Sequence, residues 1–407
     1  MLLRYRYRAY PTDQQQVMLT RSFGCARTVF NDALRCRDAA YSAGIRLSDS
    51  AIQKQVITDA KRTQERAWLA EVSSVVLVQA VNDARRAYRN WLDSITGQRK
   101  GRPMGRPRFK SRKDRRQSIR FTRNGFGITT RGVRLAKIGD VRLRWSRELP
   151  AEPSSATLIR EADGRYYVSF VVEVVETPLP SSELMSGVDV GLIDLAAIAR
   201  SDGTREKIVN PRHLRRREHA LRRAQRALSR KQKGSRNRVK ACVRVAAVHR
   251  KVRETRLDHH HKLALRLICD NQAVAVEDLS VVGLTRTWLA KSVCDAGWSL
   301  LIRLLEEKAA RYGRQVVRVD RWTPTTRTCA CCGHVDGAKT LAVRVWTCSV
   351  CCTSLDRDYN AAVNILDAAG LAESLNACGA DVRLRLAGAV GDEVGTLRTG
   401  ADRTVSA

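Results

Sequence analysis

The sequence predicts a multidomain α+β chain, with helices and short strands in its first half and an alternating α/β domain in its second. The chain has 407 residues, more than one ordinary domain holds. Hydrophobic residues make up 43% of it, enough to build real cores. The hydrophobic pattern switches between strand-like and helix-like periods along its length.

Residues 2–10 alternate apolar and basic side chains as a strand does, and Pro11-Thr12-Asp13 closes the strand with a helix-start signal. From about 13 to 95 the period is helical. Val17, Phe23, Ala26, Phe30 and Leu34 fall roughly on one face, and Val75, Val78, Val81 and Trp91 form a similar set. Residues 99–123 break the pattern. The run Gly101-Arg102-Pro103-Met104-Gly105-Arg106-Pro107-Arg108-Phe109-Lys110 carries too much Gly and Pro for a helix, and twelve of those 25 residues are Lys or Arg. Arg106, Arg108, Lys110, Arg112 and Lys113, with Phe109 and Phe121 nearby, suit phosphate tracking plus base stacking; the alternative is a solvated linker.

Residues 117–176 read as short strands, among them Ile119-Arg120-Phe121, Val141–Trp145 and Tyr166–Val172, with Asp163-Gly164 as a hairpin signal. Pro178 and Pro180 mark a domain boundary. Residues 186–200 then read as strand, turn, strand, and 211–270 as one or two long helices interrupted near Gly234-Ser235. Thirteen of residues 212–240 are Lys or Arg against the single acid Glu218. Leu214, Leu221 and Leu228 lie between the basic rows, so one side packs while Arg222, Arg226, Arg230 and Lys231 face phosphate. A buried-type strand at 272–277, an amphipathic helix at 298–312 and a strand at 315–319 complete an α/β domain. Periodicity is lost after Gly370, so 371–407 is expected to be a loosely ordered tail.

Lys+Arg total 74 against 41 Asp+Glu, a formal net charge of +33. Such an excess calls for a polyanionic partner, because basic side chains release counterions from phosphate backbones. No apolar run is long enough to span a bilayer, and Met1–Arg8 lacks the continuous apolar core of a signal peptide. A cytoplasmic, nucleoid-associated location and no membrane partner are expected. The 12 cysteines then read as metal ligands and free thiols rather than disulfides.

Cys329/Cys332 and Cys348/Cys351 form two CxxC pairs separated by fifteen residues, the spacing of a four-cysteine zinc site. Four thiolates leave no open coordination position, so one structural Zn²⁺ is expected. Cys331 and Cys352 could replace a neighbour by a register shift, and His334 is a weaker candidate. Three carboxylates stand where acids are costly. Asp189 lies in the apolar run Val188–Val190, Glu277 ends Ala273-Val274-Ala275-Val276, and Asp358 opens an apparent helix. Brought together, they could hold two Mg²⁺ ions for phosphodiester chemistry. Taken singly, each could be a solvated acid; Asp356 could be a helix N-cap, and Asp278 a structural neighbour of Glu277. The tract Asp258-His259-His260-His261 sits in an apparent helix, where consecutive side chains diverge, and reads as nucleic-acid-facing or structural rather than as a metal site. No segment carries a zinc-finger recognition helix or a helix-turn-helix pattern that could read a long DNA site.

Gly187-Val188-Asp189-Val190-Gly191, Val276-Glu277-Asp278-Leu279, the two cysteine pairs and Asp356-Arg357-Asp358-Tyr359-Asn360-Ala361-Ala362-Val363-Asn364 together resemble the TnpB family, also known as OrfB-type transposases. Tyr10-Pro11-Thr12, Phe23–Arg27, Pro107–Lys110, Asp295–Trp298 and Arg321-Trp322 extend the resemblance over roughly residues 1–370. Leu355, where a His often precedes the Asp-Arg-Asp motif, and Cys352, where a Gly usually follows the last zinc ligand, depart from the family pattern. The resemblance implies an RNase H-like (RuvC) α/β nuclease domain with an inserted zinc ribbon. It also implies an N-terminal oligonucleotide-binding β-barrel with an inserted helical domain. The implied ranges are 1–11 and 117–180 for a wedge-like barrel, 12–116 for a helical recognition domain with the basic loop, 184–323 and 355–370 for the nuclease, and 324–354 for the ribbon. It further implies a Mg²⁺-dependent endonuclease, related to type V CRISPR effectors, that uses Asp189, Glu277 and Asp358. A guide RNA from the transposon end would direct it to double-stranded DNA, with a monomer the favoured state. Two rival functions use the same fold: a transposase performing strand transfer, and a non-catalytic nucleic-acid-binding regulator.

Overall fold

The structure is a computed structural model that describes residues 1–340 and 342–371. The tail expected at 371–407 lies outside the described residues but for Leu371. The chain forms two compact units. One contains Met1–Pro180, Arg212–Arg266 and Ser299–Arg314; the other contains Ser181–Pro211, Leu267–Trp298 and the chain from Gln315 on.

Strand β1 (Leu2–Tyr10) buries Tyr5, Tyr7 and Ala9 and turns Arg4, Arg6 and Arg8 outward, the alternation its sequence carries. Helix α1 (Asp13–Ser42) starts at Thr12, whose hydroxyl accepts from Gln15 N while Gln15 Oε1 accepts from Thr12 N. The short α2 (Asp49–Gln53) and irregular turns lead to α3 (Ser74–Ile95). The core face of α1 is Leu19, Phe23, Ala26, Val29, Phe30, Ala33 and Leu34, and Val17, expected on it, is exposed. On α3 the buried set is Val76, Leu77, Ala80, Val81, Ala84 and Tyr88, which shifts the expected stripe by about one residue. After the basic loop come β2 (Gln117–Thr122), β3 (Phe126–Thr129), β4 (Gly132–Leu135), β5 (Gly139–Arg144), β6 (Pro153–Arg160) and β7 (Tyr166–Glu173). Gly164, at φ +81°, makes the β6–β7 turn.

These strands form one antiparallel sheet in the order β2-β6-β7-β1-β5-β4-β3. Its edge strands β2 and β3 are consecutive in sequence, joined by Arg123–Gly125 alone. That link reaches roughly 13 Å at full extension, whereas seven strands laid flat would hold their edges about 29 Å apart. The sheet must therefore curl until its edges come within that reach, as in a partly open barrel. Phe121, Leu158, Val168 and Phe170 fill the inside, in one core with α1 and α3.

The second unit begins with β8 (Met185–Val190), β9 (Asp194–Arg200) and β10 (Arg205–Val209). Helices α4 (His213–Ser229) and α5 (Arg236–Asp270) follow in sequence, split at Gly234 as expected; residues 212–266 belong to the first unit. Then come β11 (Ala273–Glu277), α6 (Val281–Leu284), α7 (Ala290–Ala296), α8 (Trp298–Tyr312), which but for Trp298 belongs to the first unit, β12 (Gln315–Val319), β13 (Val345–Thr347), β14 (Ser354–Asp356) and α9 (Arg357–Ala368). The sheet order is β10-β9-β8-β11-β12, with β9 antiparallel to both β8 and β10 and β11 parallel to both β8 and β12. Among the described residues no helix is long and apolar enough to cross a membrane.

Helix α9 lies across β8, β9 and β11 with Ala361, Ala362, Ile365 and Leu366 buried. It comes so close that a Cβ on Gly187 would stand 2.1 Å from the Ala362 carbonyl and 2.7 Å from Leu366 N. Only glycine fits there. Gly187→Ala is expected to lower stability by about 2–3 kcal/mol, the range of overpacked cores, because backbone rather than a flexible side chain must yield. The urea midpoint measures this, and a midpoint equal to that of the unsubstituted chain would mean that α9 has room to lift.

Candidate active site and metal centre

Asp189 and Gly187 lie on the same face of β8, two residues apart, and that face carries α9. Residue Val276 of β11 pairs with Val188, so Glu277 ends its strand level with Asp189. Asp358 stands in the first turn of α9. Two adjacent strand ends and one helix start thus bring the three sequence-predicted acids to one edge of the sheet. Trp298 steadies that edge by donating its indole N–H to the Gly191 carbonyl at 3.1 Å.

Electrostatics registers the convergence. Partial burial, with the negative charges of Glu277 and Asp358 added, pushes the Asp189 carboxyl from 3.8 up to about 7. Burial also raises Glu277, while a hydrogen bond from the Thr325 hydroxyl opposes the rise. Asp358 accepts from Arg344 Nη1 at 3.3 Å and has Lys207 Nζ at 3.7 Å. Asp356 does something different. Its Oδ1 accepts from the backbone N–H of Asp358 and Tyr359 at 3.1 and 3.0 Å, and its Oδ2 takes Lys207 at 2.7 Å, so it caps the helix. Asp278 is a structural neighbour, paired with Arg318 at 3.1 Å and Arg321 at 2.5 Å. Hard oxygen donors with surplus negative charge fit a divalent cation such as Mg²⁺.

Sequence reasoning missed Thr325, Lys207 and Arg344. Lys207 sits on β10, a strand without a marked pattern, and Thr325 is a small hydroxyl whose partner is 48 residues away.

Cys329, Cys332, Cys348 and Cys351 bring their sulfurs within 4.8 Å of one another, the one such ligand group among the described residues. The Cys329–Cys351 and Cys332–Cys348 separations are 3.6 and 3.7 Å. A tetrahedron with Zn–S near 2.3 Å has edges of about 3.8 Å, so the donor set fits zinc. Cys331 and Cys352 are exposed and outside the cluster, as is His334, whose carbonyl accepts from Cys329 N. The residue after each second ligand is left-handed: Gly333 at φ +75° and Cys352 at φ +54°. The departure at Cys352 therefore carries backbone strain of about 1–2 kcal/mol that glycine would avoid. Leu355 packs with Trp346 against the thiols.

In the first unit, Arg108, Arg112, Lys113, Arg226, Arg230 and Lys231 are exposed. Arg106 is engaged with Asp38 at 2.8 Å and Arg222 with Glu218 at 2.7 Å. Lys110 lies 4.0 Å over the Phe30 ring, and its backbone exchanges two hydrogen bonds with the Asn31 side chain. Arg106 and Lys110 thus fasten the loop to α1. Phe109 is exposed, but Phe121 is fully buried in the barrel core and cannot stack on a base; its position in the period-2 pattern of β2 faces inward. Of the histidine tract, His260 is buried and packs edge-on to His259, which meets His213 likewise. The tract is structural at that position.

Comparison with known proteins follows this geometry closely. A family model described as "Probable transposase" (OrfB_IS605) matches residues 169–287, and one described as "Cas12f1-like, TNB domain" matches 298–365. A protein of Streptomyces pristinaespiralis named as an RNA-guided DNA endonuclease is 43% identical, over 93% of this chain and 91% of its own. The chain belongs to the TnpB (OrfB-type) family. The protein of Escherichia coli K12 that bears the name InsQ is 30% identical over 92% of this chain and 93% of its own. The fold is similar to that in a Cas12f1–sgRNA–target DNA complex, with a TM-score of 0.53 at 15% identity over 86% of this chain and 82% of that one. A third family model, described as a helix-turn-helix domain, matches residues 1–46. The description names a motif that the sequence was not expected to carry, and at these residues the fold agrees with that expectation. In this family member those residues fold as β1 and the single 30-residue helix α1, so no turn interrupts the periodicity that sequence reasoning relied on.

The thiol geometry sets an expected outcome. Purified protein should hold about one zinc per chain, and Ser at Cys329, Cys332, Cys348 or Cys351 should lose it together with stability. Ser at Cys331 or Cys352 should keep it. Metal analysis finding zinc lost with Cys331→Ser and kept with Cys332→Ser would reverse the ligand assignment.

Proposed function

We propose that this TnpB family member is a transposon-encoded, RNA-guided endonuclease that hydrolyses phosphodiester bonds of double-stranded DNA at Asp189, Glu277 and Asp358. The observation that carries the site is the arrival of two adjacent strand ends and the first turn of α9, with Asp189, Glu277 and Asp358, at one sheet edge. The sheet order, with three antiparallel strands followed by two parallel ones, supports an RNase H-like (RuvC) reading of the second unit. The three carboxylates would hold two Mg²⁺ ions, which when bound supply an activated water and a stabilised leaving oxygen.

The chain's own residues do the rest. Asp356 holds the start of α9, which fixes where Asp358 points. Lys207 and Arg344 neutralise part of the charge beside Asp358. Guidance rests on the names of the relatives and on the charge of +33, concentrated in residues 99–123 and 212–240. Two such surfaces exceed what one short duplex needs. A structural RNA together with an RNA–DNA heteroduplex would occupy both, the protein reading backbone shape while base pairing reads sequence.

Asp189→Ala, Glu277→Ala and Asp358→Ala should each reduce cleavage of guide-matched DNA to background while leaving DNA binding largely intact. Asp356→Ala should cost about 1 kcal/mol of stability as a lost cap and slow cutting without abolishing it, since Asp358 itself remains. Full cutting by Asp358→Ala would move the role to Asp356. The protein should copurify with a discrete RNA, and a changed guide segment should move the cut; equal cleavage of matched and unmatched DNA by RNA-free protein would leave a nonspecific nuclease instead.

The pH dependence follows from Asp189. Its carboxyl, titrating near 7, must give up a proton to bind a cation. Affinity for Mn²⁺ should then fall about tenfold per pH unit below 7 and level off above it. Calorimetry between pH 5.5 and 8 measures this, and a flat profile would detach Asp189 from the metal.

A further inference from the structure

Thr325 stands at the meeting point of three otherwise separate parts of the second unit. It is 3% exposed, in the loop between β12 and the first cysteine pair. Its hydroxyl donates to Glu277 Oε1. Its carbonyl accepts from Asn364 Nδ2 at 2.7 Å and from Asn360 Nδ2 at 3.3 Å. The same two amides donate to the Thr328 carbonyl, each at 2.7 Å, and Asn360 Oδ1 accepts from Ala330 N at 2.8 Å. Asn360 and Asn364 are four residues apart on one face of α9, both buried. Every polar atom of the Asn360 amide and the donor of Asn364 are thus spent on one stretch, Thr325–Ala330, that ends at the zinc knuckle.

Buried amides committed to this degree hold a loop in one place, because a slipped loop would leave several buried donors unpaired. What the held loop presents to the carboxylates is a single hydroxyl. Glu277 at a strand end has free torsions beyond its backbone, and its carboxylate would rotate if nothing engaged one of its oxygens. With Oε1 taken by the hydroxyl, Oε2 is left for a cation.

We propose that Thr325 is the positioning residue of the cation site: it orients the Glu277 carboxylate through its hydroxyl and is itself held by Asn360 and Asn364 of α9. The inference deepens the proposed nuclease reading and rests on Glu277 being a metal-holding carboxylate. Groups that orient a metal-holding carboxylate from outside are typically worth 10–100-fold in affinity. Thr325→Val keeps the shape and removes the hydroxyl; Thr325→Ser restores it.

The test uses the full chain as purified with its RNA. Mn²⁺ binding is measured by calorimetry, and cleavage of guide-matched DNA is measured against Mg²⁺ concentration. Thr325→Val should weaken Mn²⁺ binding about tenfold or more and raise the half-saturating Mg²⁺ by the same factor, with much of the rate recovered at saturating Mg²⁺. Thr325→Ser should lie near the unsubstituted chain, and zinc content and melting temperature should be unchanged in both. Thr325→Val that binds Mn²⁺ normally overturns the proposal. So does Thr325→Val that loses zinc and melting temperature while Thr325→Ser does too, since the residue would then serve only the fold. Glu277→Ala separates the two readings: if it cuts normally, the nuclease site is wrong, whereas if it is inactive and Thr325→Val binds metal normally, only the role of Thr325 fails.

Discussion

The second unit depends on how closely α9 can approach β8. A helix packed on a sheet normally stands off by the thickness of the side chains between them. Here Gly187 removes that thickness on the strand, and Ala361 and Ala362 reduce it on the helix. The first turn of α9 therefore arrives beside the end of β8 rather than above it, and Asp358 comes into the field of Asp189. The cost shows in the raised Asp189 carboxyl, where burial contributes most, the Glu277 charge next and the Asp358 charge after it. Part of it is met by the N-terminus of α9, where partial positive charge suits the Asp356 cap and the Asp358 carboxylate, and part by Lys207 and Arg344.

The ribbon between β12 and α9 gains meaning from the same packing. A segment of this length buries little apolar surface, here mainly Trp346, Val343 and Leu355 around the thiols, so a bound metal must supply much of its folding free energy. Its first knuckle is tied to α9 by Asn360 and to the carboxylate edge by Thr325. The four-thiol cluster thereby fixes the far end of a loop whose near end touches Glu277.

What was legible in the sequence was what local chemistry decides. The bounds of α8 and β12 are those the periodicity drew, and the cysteine spacing located its cluster, because ligand pairs in a tight turn are a local requirement. Asp189 and Glu277 stood out because an acid inside an apolar strand is costly wherever the strand ends up. Tertiary choices were not legible. Val17 satisfies a helical period yet points outward, since only packing against α3 and the barrel selects which of two adjacent stripes is buried. Phe121 lies in a basic stretch and looked like a base-stacking ring, but it sits on the inward register of β2. Thr325 gave no signal at all, because a threonine before a knuckle is unremarkable until a strand end 48 residues earlier is laid beside it.

Charge is the constraint that the first unit answers locally and leaves open globally. Its buried acids each gather several cations: Glu161 has Arg6 at 2.7 Å, Arg116 at 3.5 Å and Arg253 at 3.6 Å, and Asp163 has Arg250 at 2.6 Å and Arg165 at 3.6 Å. Such clusters let an acid stay charged out of water, and they order the β6–β7 hairpin and α5 together, because Tyr167 donates to Glu254 beside them. They cannot balance the chain. Even if every one of the 41 acids neutralised a different cation, 33 of the 74 would remain. Exposed arginines on α4 and in the basic loop repel one another in the free protein, and a polyanion relieves that repulsion as it binds. Whatever occupies these surfaces therefore raises the stability of the fold along with its own affinity, and salt weakens both together.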